Sequence, residues 1–562
     1  MWTGLLQRMR GGRTPDASRT VRHWTKSYAE IPTEIDPDRY ASVVELLDGA
    51  MKRYSGKLAF RSFGGSLTFG DVDRLSSAFC AYLQSKLGVK LGDRIAVMAP
   101  NIAAFPIAFI GIARAGAVQV NVNPLYTPRE LEHQLNDAGC ETIVIFNSST
   151  PTLAEVVGRT GIRNIITLAP ADGLSVSLPA PPIDPRLTQT LSFASSLEAG
   201  AKLSRKPVAL SGKDLLFLQY TGGTTGLSKG AALSHRNLVA NTEQFKAFLP
   251  YAMRPGEEVV VTAIPLYHIF ALMVNFITYF SVGAENWLVA NPRDMDSFVA
   301  ILKQARPSVF MGVNTLYAGL TTHPGLKEVD WSRLRLAGGG GAAVVGATSE
   351  RWRAITGNFI REGYGLSETS PVLSFNPGYI KEFTGTTGLP LPSTDIKLLD
   401  DEGREAPIGQ PGEICAKGPQ VMVGYWEKPE ANAAAFTTDG YFRTGDIGVF
   451  DERGFLKIVD RKKDMVIVSG FNVFPNEVEE VASACPGVAE CACVGVPDEK
   501  TGEAVKLFVA RLPNANVSEE DVIAHCRTGL TSYKVPRTVR FIDALPKSTV
   551  GKILRRELRN MP

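Results

Sequence analysis

A run of glycine, threonine and lysine between residues 220 and 230 predicts a cradle for a phosphate group. It reads Tyr-Thr-Gly-Gly-Thr-Thr-Gly-Leu-Ser-Lys-Gly and follows an apolar run at residues 215–218. Glycines let several backbone N–H groups point inward at close range, threonine hydroxyls add donors, and lysine adds a positive charge. The run is not a Walker A loop, which has glycine directly before its lysine, whereas Ser228 stands there. The candidate phosphate ligands are Thr221, Gly222, Gly223, Thr224, Thr225, Gly226 and Lys229.

The elements that must hold this cradle alternate between strand and helix. Strands are predicted at the apolar runs 94–98, 117–122, 142–146, 164–168 and 309–311, and helices at 69–87 and 128–136. Such alternation is typical of parallel sheets covered by helices. A connector rich in proline, serine and threonine at residues 169–212 separates two sheet units, and a β-rich stretch follows at 384–460.

A charged run at residues 459–464 lies between two apolar strands and predicts an exposed hinge. Beyond it, Pro475 stands near the start of one helix and Ser518 caps another, which predicts a small α/β module. The predicted fold class is therefore α/β, with a large N-terminal domain of two helix-covered β-sheets plus a β-rich subdomain, and a small mobile C-terminal α/β domain. The predicted boundaries are 1–35 for a basic N-terminal extension, 36–460 for the large domain, 461–463 for the hinge and 464–562 for the small domain.

Composition excludes several classes of protein. The 562 residues are 44% hydrophobic and 21% charged, which excludes coiled coils and small disulfide scaffolds. The net charge of +3 is too small for non-specific electrostatic binding of nucleic acid, so no nucleic-acid partner is expected. Seven cysteines show no disulfide spacing, which indicates a reducing compartment and a cytoplasmic location. Cys491 and Cys493 form a C-x-C pair that is read as buried thiols rather than a metal site.

Two features bear on membranes. The first 26 residues are rich in arginine and lack the apolar core of a secretory signal. These residues can be interpreted as a transit peptide, as an arm that binds the membrane surface or as a solvated tail. The second interpretation would place the protein at the inner face of the membrane as a peripheral protein. The uncharged stretches 95–113 and 259–284 contain proline, and each is interpreted as a strand followed by a buried helix rather than a membrane span.

Five ordered motifs together resemble the signature of the adenylate-forming superfamily. After residues 220–229 come Tyr-Gly-Leu-Ser-Glu-Thr at 364–369, Tyr-Phe-Arg-Thr-Gly-Asp at 441–446, Asp-Arg-Lys-Lys-Asp at 460–464 and Pro-Lys-Ser-Thr-Val-Gly-Lys at 546–552. Segments 123–136, 265–272 and 468–475 are similar to bacterial long-chain fatty acid CoA ligases. The resemblance implies an ATP-dependent, AMP-forming acyl-CoA synthetase that uses ATP, CoA and Mg²⁺. A fatty acid would first form acyl-AMP and pyrophosphate, and CoA would then displace AMP.

The resemblance also implies roles for single residues. Glu368 and Thr221 would hold Mg²⁺, a hard cation that prefers oxygen ligands. Donors and cations placed in advance stabilise the charge that develops as pyrophosphate leaves. The implied catalytic residues are Lys552, Glu368, Thr221 and Lys229; spacing to Gly551 favours Lys552 over Lys547. The implied nucleotide-binding residues, besides the phosphate loop, are Gly339, Gly340, Gly341, Gly363, Tyr364, Gly365, Ser367, Glu368, Asp446, Arg461 and Lys552.

Within that set, Tyr364 would stack on adenine, the glycine run 338–341 would let the backbone pass the base, and Ser367 would touch the α-phosphate. Asp446 can accept hydrogen bonds from ribose hydroxyls and Arg461 can donate to the same sugar. Arg555 and Arg556 follow on a predicted terminal helix and are interpreted as a plain basic face of it.

The acid and CoA would enter by separate routes. Tyr267, His268, Leu272 and Val313 are the candidate acyl-tunnel residues, joined by Phe270, Asn314 and Thr315, although a core histidine is an equal interpretation of His268. Each buried CH₂ contributes about 0.8 kcal/mol, so an apolar tunnel suits a long chain. Gly470 is the candidate for the CoA channel and Lys463 for the pivot of the small domain.

Alternatives stay open. They are a medium-chain or aryl acyl-CoA ligase, an acyl-AMP ligase that loads a separate carrier protein, and a non-catalytic acyl-binding relative. Retention of Glu368 and Lys552 argues against the last of these. Several acyl chain lengths stay open, and a homodimer is one open oligomeric state.

Overall fold

The computed structural model describes residues 22–221, 228–469, 471–548 and 551–561. Its strands, in chain order, are β1 (Leu58–Ser62), β2 (Gly65–Thr68), β3 (Arg94–Met98), β4 (Val118–Val122), β5 (Thr142–Phe146), β6 (Asn164–Leu168), β7 (Leu191–Ser192), β8 (Leu215–Thr221), β9 (Lys229–Ser234), β10 (Val259–Thr262), β11 (Glu285–Leu288), β12 (Val309–Gly312), β13 (Leu336–Gly339), β14 (Arg361–Gly365), β15 (Val372–Phe375), β16 (Leu389–Pro390), β17 (Asp395–Leu399), β18 (Gly412–Lys417), β19 (Gly424–Tyr425), β20 (Phe442–Phe450), β21 (Leu456–Arg461), β22 (Val466–Val468), β23 (Phe471–Val473), β24 (Val488–Asp498), β25 (Gly502–Arg511) and β26 (Thr538–Phe541).

The α-helices are α1 (Val43–Arg53), α2 (Phe69–Lys86), α3 (Ala104–Arg114), α4 (Pro128–Ala138), α5 (Thr150–Val156), α6 (Phe193–Gly200), α7 (His235–Phe248), α8 (Tyr279–Ser281), α9 (Met295–Ala305), α10 (Asn314–Thr322), α11 (Gly346–Thr356), α12 (Pro429–Ala435), α13 (Pro475–Ser483), α14 (Glu519–Gly529) and α15 (Arg555–Arg559). A π-helix spans Phe270–Thr278. Short 3₁₀ helices lie at His23–Ser27, Asn147–Ser149, Val157–Arg159, Pro250–Ala252, Pro324–Glu328, Ser367–Thr369 and Ser532–Lys534.

In the part of the chain that the structure describes, the strands form four sheets. The first has the order β16-β15-β14-β13-β12-β10-β11-β1-β2, and the second has the order β19-β9-β8-β4-β3-β5-β6-β7. Most neighbouring strands in these two sheets are parallel, and inner strands such as β4 and β10 are buried on both faces. A third, antiparallel sheet contains β17, β18, β20 and β21, while β22 to β26 form the fourth. The predicted α/β fold with helix-covered parallel sheets is confirmed.

The largest apolar core lies between the first two sheets. Phe60 and Met311 enter it from one sheet and Val97 and Phe217 from the other. All of α3 is buried there, and the π-helix packs in the same core. Helices α9, α10 and α11 cover the outer face of the first sheet, α4 and α5 cover that of the second, and α13 and α14 cover the fourth. Helices on both faces leave the strand ends as the place where loops from different elements can meet.

The helix ends follow local sequence chemistry. Thr127 and Glu130 form a reciprocal capping box at the start of α4, Pro128 occupies the first turn, and Gly139 ends the helix with a left-handed backbone. Ser518 caps α14 in the same way, as predicted. These caps satisfy backbone groups that have no partner inside the helix.

The two uncharged stretches divide as predicted. Residues 95–113 contain β3 and α3, and residues 259–284 contain β10 followed by the π-helix and α8. Among the described helices, none combines the length and the apolarity that a membrane crossing requires.

Two segments differ from the sequence interpretation. Residues 22–28, assigned to a basic extension, pack onto the large domain: Trp24 is fully buried with its ring stacked on Phe450 at 5.4 Å, and the Tyr28 hydroxyl donates to the carbonyl of Pro390 at 2.6 Å. The connector at 169–212 contains β7, which pairs with β6, and α6, which packs on α2. The connector prediction is therefore wrong for the stretch from β7 to α6, where apolar side chains such as Phe193 complete the core.

Candidate active site

The predicted phosphate loop joins two adjacent strands. Thr221 ends β8 and Lys229 begins β9, and these two residues face each other in the antiparallel register. The predicted ligands Gly222, Gly223, Thr224, Thr225 and Gly226 lie outside the described residues, as does Gly470, the predicted CoA-channel residue. Lys229 is exposed at the start of β9, and its Nζ lies 5.2 Å from the centre of the Tyr425 ring.

Glu368 faces the same region from the first sheet. It follows β14 in the short helix Ser367–Thr369, which lies against β8 and β9. Its Oε1 accepts a hydrogen bond from the Tyr425 hydroxyl at 2.8 Å, and its carbonyl accepts one from Met422 N at 2.7 Å. Burial raises the pKa of Glu368, although the hydrogen bond from Tyr425 opposes that shift. The result is a shielded carboxyl group next to the base of the phosphate hairpin.

The glycines around β14 allow close strand packing. A Cβ on Gly365 would lie 1.9 Å from the carbonyl oxygen of Pro371, and one on Gly363 would lie 2.3 Å from the Phe375 ring. Any larger residue at either glycine would push β14 away from β15 and displace Tyr364.

Glu362, a residue of β14 itself, was not predicted as a site residue. Burial raises its pKa to about 8, and its Oε1 accepts a hydrogen bond from Val344 N.

The glycine run 338–341 is held partly by protein packing. A Cβ on Gly339 would lie 2.5 Å from the Val344 side chain, and one on Gly340 would lie 3.3 Å from the carbonyl oxygen of Gly363. Gly341 has φ of +78°, a left-handed conformation that favours glycine. Close packing within the protein therefore favours glycine at these positions, in addition to the close approach of adenine that the resemblance implies.

Asp446 and Arg461 meet across two strands. They are direct partners in the antiparallel register of β20 and β21, with Arg461 Nε 3.6 Å from Asp446 Oδ1. The Tyr364 hydroxyl donates to Asp446 Oδ2 at 2.6 Å. Three predicted nucleotide ligands from three strands therefore form one contiguous group.

Lys552 joins this group from the C-terminal segment. Burial, then the positive charge of Arg461, lowers the pKa of Lys552 to about 8, while the carboxylates of Asp446 and Glu368 oppose the shift. Lys547 is held elsewhere, by Glu490 at 2.6 Å. The two lysines of the motif therefore have different surroundings: Lys547 is paired with a carboxylate, and Lys552 lies near the charges of Asp446, Glu368 and Arg461.

The candidate tunnel residues adjoin Lys552. Burial, then the positive charge of Lys552, lowers the pKa of His268 to about 3, so the imidazole is neutral, and its Nδ1 accepts from Phe270 N at 3.2 Å. A Cβ on Gly551 would lie 2.6 Å from the Thr315 hydroxyl and 3.2 Å from Val313. Of the other candidates, Tyr267 is half-buried, Leu272 is fully buried in the core between the two large sheets, and Asn314 accepts a hydrogen bond from Val345 N.

The predicted hinge is only partly exposed. Lys463 is exposed. Asp460 is 1% exposed, and its Oδ2 accepts from Asn476 N at 2.8 Å. Arg555 lies beside it and contacts Glu479 at 2.8 Å, so the interpretation of Arg555 as a plain basic face is wrong. A uniformly exposed charged run is also wrong, because these charges are paired across the junction.

The structure adds residues that no motif identified. Tyr425 contacts Glu368 across 57 positions, and Asp137 accepts from the Tyr220 hydroxyl across 83 positions. The sequence signal for both is weak, because such pairs depend on the order of strands in the sheets. The seven cysteines are buried free thiols, and the described ranges contain no cluster of three metal-ligating side chains.

Comparison with known proteins identifies the family of the chain. The pattern of the AMP-binding enzyme family matches residues 47–426, and that of the AMP-binding enzyme C-terminal domain matches residues 477–552. A long-chain-fatty-acid–CoA ligase from Escherichia coli is 49% identical over 549 residues, covering 96% of this chain and 98% of the relative. One from Haemophilus influenzae is 42% identical over 553 residues, with 96% and 98% covered.

A solved structure shares the fold. The crystal structure of ATP-bound MatB from Rhodopseudomonas palustris is similar with a TM-score of 0.80 and 31% identity, covering 92% of this chain and 98% of that one. The chain therefore belongs to the AMP-binding enzyme family, which confirms the adenylate-forming enzyme that its motifs predict.

Proposed function

We propose that this protein is a long-chain fatty acid CoA ligase. In the first step a carboxylate oxygen of the fatty acid attacks the α-phosphorus of ATP, and pyrophosphate leaves. In the second step the CoA sulfur attacks the acyl carbon, and AMP leaves. The observation that carries the proposal is the position of the C-terminal segment, where Gly551 packs against Thr315 and Val313. The charge of the adjacent Lys552 acts on Glu368, Asp446 and His268, so this segment lies between the predicted nucleotide site and the predicted acid site.

Lys552 is proposed to stabilise the first transition state. Its ammonium group can approach both the carboxylate and the α-phosphate as negative charge shifts toward pyrophosphate. A flexible side chain with a compact charge suits this role. Asp446 and Arg461 are proposed to hold the ribose, and Tyr364 the adenine.

The residues present fit a magnesium ion. Glu368 offers a shielded carboxylate whose turn lies against the phosphate hairpin, and Thr221 offers a hydroxyl from that hairpin. One or two protein oxygens beside substrate phosphates are the usual environment of Mg²⁺. When bound, the ion would neutralise charge on the phosphates; Glu368 and Thr221 are the residues proposed to hold it.

The neutral His268 and its neighbours support an apolar route for the acid. An uncharged imidazole avoids the cost of burying a second cation next to Lys552. Lys463 is proposed as the pivot for the second step and Gly470 as the contact for CoA. A homodimer and a peripheral position on the membrane stay further predictions, which sedimentation and vesicle-binding measurements test.

A CoA-dependent AMP-release assay tests the proposal. The acids run from acetate to oleate, with aryl acids included, and pyrophosphate is measured with and without CoA. We expect kcat/KM to rise with chain length, because each CH₂ buried in the tunnel contributes about 0.8 kcal/mol. A preference for aryl or medium-chain acids would replace the long-chain assignment. Pyrophosphate and acyl-AMP without acyl-CoA would favour loading of a carrier protein, and no pyrophosphate with any acid would refute acid activation.

A further inference from the structure

The loop that connects β10 to the π-helix carries two of the candidate tunnel residues. It spans residues 263–268 and ends with Tyr267 and His268. Inside the loop, His268 N donates a hydrogen bond to the carbonyl oxygen of Pro265 at 3.0 Å. Buried backbone groups that a strand or helix does not pair must find other partners, so those partners decide the path of the loop.

Asn101 holds this loop from the opposite sheet. It follows β3 of the second sheet and is 4% exposed. Its Nδ2 donates to the carbonyl oxygens of Thr262 at 3.1 Å and Ile264 at 3.0 Å, and its Oδ1 accepts from Leu266 N at 2.7 Å. One side-chain amide therefore uses its donor group and its acceptor oxygen on a single stretch of backbone, from the end of β10 into the loop.

Gln219, in β8 of the same sheet, holds the loop directly before His268. Its Nε2 donates to the carbonyl oxygen of Tyr267 at 3.2 Å. Its Oε1 accepts from Asn121 Nδ2 at 2.9 Å, and Asn121 Oδ1 accepts in turn from Gln119 Nε2 at 2.7 Å. The three amides are buried side chains on the paired strands β4 and β8, and their mutual hydrogen bonds fix the orientation of Gln219.

We propose that Asn101 and Gln219 are positioning residues for the carboxylate end of the fatty acid. They come from the second sheet, whereas the loop follows a strand of the first, so their hydrogen bonds cross the interface between the two sheets. Apolar packing at that interface is not directional, whereas hydrogen bonds specify which atoms face each other. The two amides therefore fix where Tyr267 and His268 lie relative to the second sheet. The proposal rests on the proposed function, since it assigns this loop to the acid.

The test varies the acid and leaves the nucleotide constant. Pyrophosphate release is measured for wild type and Asn101→Ala with decanoate and with palmitate. A displacement of about 1 Å at reacting groups can cost about 100-fold in rate, so kcat/KM for each acid should fall about 10- to 100-fold. The factor should be the same for both acids, because the loss occurs at the carboxylate end that they share. The Kd of ATP, measured by isothermal titration calorimetry, should stay within about twofold of wild type.

Matched variants separate positioning from general damage. Asn147→Ala is the control, because Asn147 is a buried amide that follows β5 of the same sheet and donates to the carbonyl oxygen of Pro181 at 3.0 Å, away from the loop. It should retain the wild-type kcat/KM for both acids. If Asn101→Ala does not fold, Gln219→Met keeps the length of the side chain, removes the hydrogen bond to Tyr267 and should show the same selective loss.

Three results would overturn the proposal. A loss that differs between decanoate and palmitate would indicate damage to the tunnel, and a parallel rise in the Kd of ATP would indicate a general structural role. The third is an unchanged kcat/KM in the folded variants. All three are distinct from failure of the proposed function, in which the wild-type protein itself releases no pyrophosphate with any acid.

Discussion

Replacement of Lys552 by alanine should separate the two half-reactions. Lys552 interacts with the carboxylates of Asp446 and Glu368 and with the guanidinium of Arg461, so it is already placed where phosphate charge would gather. Loss of one preorganised stabilising group costs about 100- to 1,000-fold in rate, or ~3–4 kcal/mol. The rate of acyl-AMP formation, measured as pyrophosphate release, should fall by that factor. Thioester formation from supplied acyl-AMP should change little.

Lys547→Ala is the matched control. Lys547 lies five residues away in the same motif but pairs with Glu490, so its removal should leave acyl-AMP formation close to wild type. Equal losses of both half-reactions in Lys552→Ala, or equal effects of the two alanine substitutions on the first step, would refute the assigned role.

The pH profile supplies a second readout. The pKa of Lys552 is about 8, below its ordinary value of 10.5, because burial and Arg461 disfavour the charged form. The ammonium form is therefore present below pH 8 and is lost as the pH rises through that value. Since kcat/KM reports the free enzyme, kcat/KM for adenylation should fall above pH 8. Lys552→Arg should lose this limb, because guanidinium stays charged throughout; an identical limb in both proteins would assign it to another group.

Three further substitutions test the remaining assignments. Glu368→Gln should raise the Mg²⁺ concentration that half-saturates pyrophosphate release about tenfold, because a neutral amide binds a hard cation weakly; an unaltered Mg²⁺ titration would remove Glu368 from the metal site. Lys463→Pro should slow thioester formation more than adenylation, since proline fixes the backbone at the pivot; equal slowing in single-turnover measurements would count against that role. Arg555→Leu should lower the free energy of unfolding by about 3 kcal/mol, because Glu479 and Asp460 lose their shared cation; a wild-type denaturation curve would show that this cluster does not stabilise the fold.

Much of the fold could be predicted because its signals are local. The apolar runs at β3, β5 and β6 coincide with the strands observed, since parallel strands buried on both faces are continuous in hydrophobicity. Ser518 caps α14 because the capping box needs only residues three apart. Residues 22–28 could not be predicted in the same way, because the burial of Trp24 depends on Phe450, more than 400 positions away.

In the candidate site, too, residue types could be predicted from the sequence but their contacts could not. The resemblance implies roles in nucleotide activation, which stay predictions, for Glu368, Asp446, Arg461 and Lys552. Their mutual contacts, and the support from residues such as Tyr425, follow from strand pairing and from the position of the C-terminal segment.

Amino-acid types and their near-neighbour spacing thus determined the elements and the chemically competent groups. Only the tertiary structure decided which charges are buried and which distant side chains contact Glu368 and Asp446. The physical reason is that desolvation and hydrogen bonding act between atoms brought together by the folded chain, whatever their separation in sequence.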